Sequence, residues 1–147
     1  MTNSDQQNNP TRKSVLFLCT GNSCRSQMAE GIVNHDLAAE WQAFSAGTQP
    51  SVVNPRAIAA MQEIGIDISA HTSKHADALR DVSLDLVITV CGNAEQNCPL
   101  WLGVGKRVHI GFDDPAEAAG SEEEIMAVFR RVRDEIRARI VPFLATH

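Results

Sequence analysis

The chain has 147 residues, 44% of them hydrophobic, and a formal net charge of −5. This length and composition indicate one globular domain and exclude a disordered chain. The acidic balance disfavours nucleic acid as a partner, because a phosphate backbone attracts basic surfaces. No apolar run reaches the roughly 20 residues of a membrane-spanning helix, and the polar start lacks the apolar stretch of a signal peptide. We therefore expect a cytoplasmic protein without membrane contact, with a flexible polar tail over residues 1–13 and one domain over residues 14–147.

The predicted elements after the tail alternate between strands and helices. Short apolar runs predict four strands, at residues 15–18, 43–46, 84–90 and 107–112. Start signals and apolar spacing predict three helices, at about residues 26–39, from 54 to 65, and from Ser121 with Glu124 onward. The expected fold class is α/β, a single three-layer domain with a central parallel sheet of about four strands and helices on both faces.

The segment between the first strand and the first helix carries the strongest chemical signal. It is the anion loop, Cys19-Thr20-Gly21-Asn22-Ser23-Cys24-Arg25-Ser26. A turn at the carboxyl end of a strand that opens a helix presents backbone N–H groups to a tetrahedral oxyanion. Gly21 permits a close turn, and Arg25 can hold two anion oxygens at once. Cys19 would lie at the base, where the same N–H groups stabilise a nucleophilic thiolate. A buried strand-end thiol is the alternative, which the Arg-Ser spacing disfavours.

Two later cysteines admit several interpretations. Cys91 follows the predicted strand at residues 84–90, so it emerges at the same sheet edge as Cys19. Neighbouring strands lie about 4.8 Å apart, and modest loop movement would bring these two sulfurs into disulfide range. Alternatively, Cys91 and Cys98 are inert core cysteines, although the polar residues between them favour a surface segment. Zinc is disfavoured because no close Cys-x-x-Cys pair exists, and we expect no metal site.

A disulfide between Cys91 and Cys98 would need a change of backbone. If residues 91–98 were helical, the two Cα atoms would lie roughly 10 Å apart along the axis. Disulfides tolerate Cα separations of about 4.4–6.8 Å. We therefore expect oxidation to remodel residues 91–98, whereas identical reduced and oxidised backbones there would refute this.

The anion loop resembles the signature of the low-molecular-weight tyrosine phosphatases, which is Cys, five residues, Arg, then Ser or Thr. The longer stretch VLFLCTGNSCRSQMAEG is similar to the first motif of the thioredoxin-coupled arsenate reductases within that superfamily. The likeness covers essentially everything after the tail, including residues 44–47, 54–55, 66–69, 71–73, 91–99, 111–116 and 131–136.

This resemblance implies an enzyme that reduces arsenate to arsenite with three thiols in sequence. Cys19 would attack arsenate bound by residues 20–26, and Cys91 would then attack the Cys19 sulfur and release arsenite. Cys98 would take over the disulfide, which thioredoxin reduces. Asp114 resembles the family's general acid. Its alternative role is an Asx-Pro turn, and Asp113 is the alternative acid.

Two further residues of the anion loop receive roles from this comparison. Cys24 would offer its N–H to the substrate while its thiol stays a bystander. Ser26 would either hydrogen-bond the Cys19 thiolate or cap the helix.

Some members of that family bind potassium near the loop, and Asn22, Glu30 and Ser45 match positions of that site. Lys74 stands where those members carry an acidic residue. An ammonium group in place of the cation implies an enzyme without a potassium requirement and without a tightly bound cofactor. The alternative is that Lys74 points to solvent.

Two other functions stay open. A tyrosine phosphatase of this fold would use Cys19, Arg25 and Asp114 but neither later cysteine. Ala116 stands where such phosphatases often carry an aromatic residue, and the chain has no tyrosine, so we expect at most weak phosphatase activity. A regulatory anion-binding or redox-sensing module is the second alternative. We expect a monomer with thioredoxin as partner.

Overall fold

The computed structural model describes residues 12–91 and 106–147. Most of the predicted tail, Cys98 and the expected remodelling after Cys91 lie outside the described residues. The strands are β1 (Lys13–Cys19), β2 (Trp41–Gly47), β3 (Leu86–Thr89) and β4 (Lys106–His109). The α-helices are α1 (Arg25–Asp36), α2 (Pro55–Gln62) and α3 (Glu122–Ala145), with short 3-10 helices at Ala76–Leu79 and Pro115–Glu117. Each predicted strand and helix is therefore present, with ends that differ by a few residues.

The four strands form one parallel sheet in the order β2-β1-β3-β4, which confirms the predicted fold class. Leu18 of β1 pairs with Ala46 on one side and with Thr89 on the other. After β1 the chain forms β2 on one side of β1, and it later forms β3 on the other side. Ligands of open α/β sheets bind at the carboxyl ends of the strands where the order reverses in this way. The segments that follow β1 and β3 therefore meet at the expected ligand-binding crevice.

Both faces of the central strands β1 and β3 are buried. Val15 and Phe17 of β1 belong to the large core cluster that also contains residues of all three α-helices. Leu16 and Leu18 point to the opposite face, into a smaller cluster with the 3-10 helix Ala76–Leu79. This alternation agrees with the continuous apolar run of β1, as parallel strands covered on both sides require.

The helix α1 starts where the anion loop ends and is held by a close contact at Gly31. A Cβ atom at Gly31 would lie 2.6 Å from the Ile68 Cγ2 atom and 3.1 Å from the Met61 Cε atom. Only glycine allows α1 to approach the segment after α2 this closely. At the other end of the chain, Ser121 and Glu124 form the predicted capping box of α3. Within the described parts of the chain, no helix combines the length and apolarity needed to cross a membrane.

We expect Gly31→Ala to lower the free energy of unfolding by about 1 kcal/mol, because overpacking outweighs the helix preference of alanine. At a solvent-exposed helical position the same change would instead stabilise the protein. Urea unfolding followed by circular dichroism measures the difference. Unchanged or increased stability would contradict the close packing of α1.

Candidate active site

The anion loop directs its carbonyl groups outward. The carbonyl oxygens of Thr20, Gly21 and Ser23 accept hydrogen bonds of 2.9, 3.2 and 3.0 Å from backbone N–H groups of residues 49–54. The described chain has no cis peptide bond. In a trans peptide, the C=O group and the following N–H group point in opposite directions. The N–H groups that follow these carbonyls therefore face the inside of the loop, as an oxyanion site requires.

The tight turn of the loop is made at Asn22, which is fully buried and has a left-handed φ of 48°. Asparagine tolerates this region better than most residues. The prediction that Gly21 provides the close turn is wrong in this respect. A Cβ atom at Gly21 would have no neighbour nearer than 3.8 Å, so space does not require glycine there.

Gly47, at the end of β2, is the glycine that the loop needs. A Cβ atom there would lie 2.4 Å from the Thr20 carbonyl oxygen and 2.8 Å from that of Cys19. No role was predicted for Gly47, and its position just after the predicted strand at residues 43–46 is only a weak signal for a close backbone approach.

Cys19 lies at the base of the loop, with 2% of its surface exposed. Its Sγ atom is 2.9 Å from the Ser26 Oγ atom. The residue at the N-terminal boundary of α1 is Cys24, and no side chain caps the helix there. Of the two roles predicted for Ser26, the structure therefore supports the contact with Cys19 and not helix capping.

The Arg25 side chain is 5% exposed and connects the anion loop to the segment after β4. Its Nη1 atom donates to the Phe112 carbonyl oxygen at 3.1 Å, and its Nη2 atom lies 3.6 Å from the Asp114 Oδ2 atom. Phe112 in turn donates its N–H to the Val90 carbonyl oxygen at 3.2 Å. The backbone of Phe112 thus joins the anion loop, the end of β3 and the segment after β4. This role of Phe112 was not predicted.

The carboxylate of Asp114 lies at the rim of this site, and the turn predicted for it is present while one of its oxygens stays directed at Arg25. Its Oδ1 atom accepts a hydrogen bond from the Ala116 backbone at 3.0 Å, as in an Asx-Pro turn. Its Oδ2 atom faces Arg25. Asp113 instead pairs with Arg131 of α3 at 3.3 Å, and its side chain is 75% exposed. The geometry therefore favours Asp114 over Asp113 as a proton donor.

The thiol of Cys24 is buried in the loop without a bond to Cys19. Burial raises the pKa of Cys24 to about 12, although a hydrogen bond from its thiol to Ser23 acts in the opposite direction. Cys24 therefore stays protonated at neutral pH. This agrees with its predicted part as a bystander.

Cys91 is fully buried and shares the core cluster of Cys19. It directly follows Val90, whose N–H donates to the Leu18 carbonyl oxygen at 3.0 Å and so extends the pairing of β1 and β3. Cys19 follows Leu18 in the same way, so the two cysteines leave neighbouring strands one residue apart in register. Both are thiols in this structure.

The ammonium group of Lys74 lies among the residues that match the potassium site of some family members. Its Nζ atom donates to the carbonyl oxygens of Ser45 at 3.1 Å and Thr72 at 2.9 Å. Ser45 also donates through its hydroxyl to Glu30, and Asn22 accepts from the Lys74 backbone at 2.9 Å. The positions matched to the potassium site thus do meet, and the solvent-exposed alternative for Lys74 is wrong. Within residues 12–91 and 106–147, no group of three or more His, Cys, Asp or Glu residues is arranged to hold a metal.

Comparison with known proteins agrees with this site. The family model described as low molecular weight phosphotyrosine protein phosphatase matches residues 14–146. An arsenate reductase of Shouchella clausii strain KSM-K16 is 54% identical over 138 residues, which cover 92% of this chain and 98% of that protein. The arsenate reductase of Bacillus subtilis strain 168 is 52% identical over 134 residues, with 91% and 96% covered.

A solved structure of an arsenate reductase in its phosphate-binding state superposes with a TM-score of 0.70 at 34% identity. It covers 91% of this chain and 98% of its own. The chain therefore belongs to the low molecular weight phosphotyrosine protein phosphatase family, and within it to the arsenate reductases.

We expect Gly47→Ala to weaken the binding of a tetrahedral oxyanion by about ten-fold, since a shift of the loop peptides would cost roughly one hydrogen bond. Isothermal titration with inorganic phosphate measures this. Gly31→Ala is the matched control, because it adds the same methyl group to a close contact away from the loop. Equal phosphate affinity in all three proteins would contradict the supporting part of Gly47.

Proposed function

We propose that this protein reduces arsenate to arsenite with Cys19, Cys91 and Cys98, and that thioredoxin supplies the electrons. The observation that carries the proposal is the position of Cys91. It lies buried at the end of β3 beside the point where Cys19 leaves β1. Hydrolysis of a phosphate ester has no use for a second sulfur there. Relatives that are 52–54% identical and named arsenate reductase support the same substrate.

Arsenate binds in the anion loop. The inward-facing N–H groups of Gly21, Asn22 and Cys24 and the positive end of α1 attract its oxygens. Arg25 adds a buried guanidinium, whose planar donor groups suit two oxygens of one anion. The solved relative in its phosphate-binding state supports an oxyanion as ligand for such a loop. The overall charge of −5 opposes an anion, so the attraction is local.

In the first chemical step, the Cys19 thiolate attacks arsenic. An S–As bond forms and one As–O bond breaks. The leaving oxygen accepts a proton from Asp114 and departs as water. The side chain of Asp114 is 27% exposed, so it can take up a new proton from solvent after each turnover.

In the second step, Cys91 loses its proton and attacks the Cys19 sulfur. The S–As bond breaks and its electron pair stays on arsenic, which changes from As(V) to As(III) and leaves as arsenite. Cys98 then attacks Cys91, so that the Cys19 thiolate is released and a Cys91–Cys98 disulfide forms. The thioredoxin dithiol reduces this disulfide and becomes oxidised itself. Two electrons pass to each arsenate.

Replacing Cys91 with serine should abolish the continuous formation of arsenite from arsenate with thioredoxin, thioredoxin reductase and NADPH. Any hydrolysis of para-nitrophenyl phosphate should survive, because that reaction needs only Cys19, Arg25 and Asp114. Cys19→Ser is the control that should remove both activities. Arsenite formation at the wild-type rate by the Cys91 variant would contradict the relay.

We further propose that the enzyme needs no potassium, because the ammonium group of Lys74 already bonds the carbonyl oxygens near Ser45. Arsenate turnover should be the same in potassium and in sodium salts of equal ionic strength. Lys74→Ala should make turnover respond to potassium, whereas Lys106→Ala on the exposed edge strand should not. Strong stimulation of the wild type by potassium would contradict this part of the proposal.

A weak phosphatase activity is the second proposed function, supported by the family match and by the shared shape and charge of phosphate and arsenate. The location in the cytoplasm and the monomeric state are predictions from the sequence.

A further inference from the structure

We infer that Gln27 is a positioning residue that fixes the direction of the hydrogen bond between Ser26 and Cys19. Gln27 is a fully buried polar side chain on α1, and sequence analysis gave it no role. The inference rests on the proposed part of Cys19 as the nucleophile. Backbone N–H groups can only donate hydrogen bonds and backbone carbonyl groups can only accept them. The backbone partners of Asn22 and Gln27 therefore show which atom of each side-chain amide is oxygen and which is nitrogen.

The first step concerns the side-chain amide of Asn22. Its Oδ1 atom lies 2.9 Å from the backbone nitrogen of Lys74. A backbone N–H can only donate, so the atom facing it must be the amide oxygen. The amide nitrogen of Asn22 therefore faces the Ser26 Oγ atom, 2.9 Å away, and donates to it.

The second step concerns the hydroxyl of Ser26, which has a single hydrogen. The amide nitrogen of Asn22 has only hydrogens to offer, so the Ser26 oxygen accepts from it. The hydroxyl hydrogen is then directed to the other neighbour of Ser26, the Cys19 Sγ atom at 2.9 Å. A donor directed at sulfur stabilises the thiolate over the thiol. The opposite arrangement, with the Cys19 thiol donating to Ser26, would favour the unreactive form.

The third step concerns Gln27, which supplies a second donor to the same Asn22 oxygen. Its Nε2 atom lies 3.2 Å from the Asn22 carbonyl oxygen, 3.0 Å from the Asn22 Oδ1 atom and 3.1 Å from the Thr72 carbonyl oxygen. Carbonyl oxygens only accept, so this atom must be the nitrogen. Gln27 thus holds the backbone and the amide of Asn22 together, at the residue with the left-handed φ.

The other end of Gln27 is also occupied. Its Oε1 atom lies 3.0 Å from the His71 Nδ1 atom, which must carry a hydrogen to donate there. Both ends of the glutamine are therefore bonded, and its amide cannot turn over without losing these bonds. A chain of hydrogen bonds runs from His71 through Gln27, Asn22 and Ser26 to the Cys19 sulfur.

Removing the Gln27 amide leaves the Asn22 carbonyl without this donor inside the protein. The Asn22 Oδ1 atom then keeps the Lys74 backbone N–H as its donor but loses the second one, so the amide and the left-handed turn are held less firmly. The Ser26 hydroxyl is then directed less strictly at the Cys19 sulfur. The charged and titratable groups around the network are retained in such a variant, namely Arg25, Asp114 and Cys24 on the substrate side and Lys74, His71 and Glu30 behind the loop.

Gln27→Met tests the inference, because methionine has a similar length and no amide. The readout is alkylation of Cys19 by iodoacetamide as a function of pH in the full chain, followed by peptide mass spectrometry that separates Cys19 from Cys24. We expect the pH midpoint of alkylation to rise by about one unit, which corresponds to the loss of one hydrogen bond to a charged sulfur. The kcat for arsenate should fall about ten-fold while KM changes less.

Asn34→Leu is the matched control. Asn34 lies on the same helix, and its side-chain amide likewise bonds backbone groups, donating to and accepting from Ala43 at 3.1 and 2.8 Å. It has no bond to the anion loop, so its loss should leave the alkylation midpoint unchanged. Gln27→Leu serves as a second variant of different shape and should reproduce the shift seen with methionine.

An unchanged midpoint in the folded Gln27 variants would overturn the inference. An equal shift in Asn34→Leu would overturn it as well, because the effect would then be general loosening of α1. The alkylation readout needs no arsenate. Full arsenate turnover by Cys19→Ser would instead overturn the proposed function, so the two failures are distinguishable.

Discussion

Gly47 meets the ends of the Cys19 and Thr20 peptide groups so closely that a methyl group there would lie 2.4 Å from the Thr20 oxygen. Because residue 47 is a glycine, the anion loop can lie directly against the end of β2. In this position the loop carbonyls point outward to residues 49–54, and the N–H groups face inward. In a protein with a net charge of −5, such oriented backbone groups and the buried Arg25 guanidinium supply the local attraction for an oxyanion. Cys19 and Arg25 can act on an oxyanion only if the N–H groups of the loop hold it between them.

The order of the strands explains how a phosphatase-like loop can serve a redox reaction. Because β1 and β3 are parallel neighbours, their carboxyl ends open into one crevice. β1 ends at Cys19, and Cys91 lies two residues after the end of β3. The loop alone would suffice for attack on a phosphate ester. The second buried sulfur, Cys91, gives the bond between Cys19 and arsenic another way to break, in which arsenic keeps the electron pair.

Local signals in the sequence were sufficient to predict the strands and the anion loop, because an apolar run that ends in a cysteine needs no knowledge of distant residues. The role of Asp114 was predicted from the family resemblance, since an Asp before a proline alone indicates only a turn. The roles of Gln27, Gly47 and Phe112 could not be predicted in this way. Gln27 bonds Thr72, 45 positions away, and Phe112 bonds Arg25, 87 positions away. Such pairs become visible only when the sheet order brings their segments together.

The direct test of the central claim is to trap the first disulfide. The Cys98→Ser variant, fully reduced and mixed with excess arsenate without thioredoxin, should release one arsenite per chain. Peptide mass spectrometry should then find Cys19 linked to Cys91. Release of arsenite with Cys19 and Cys91 unlinked, or a linkage of Cys19 to Cys24 instead, would contradict the account.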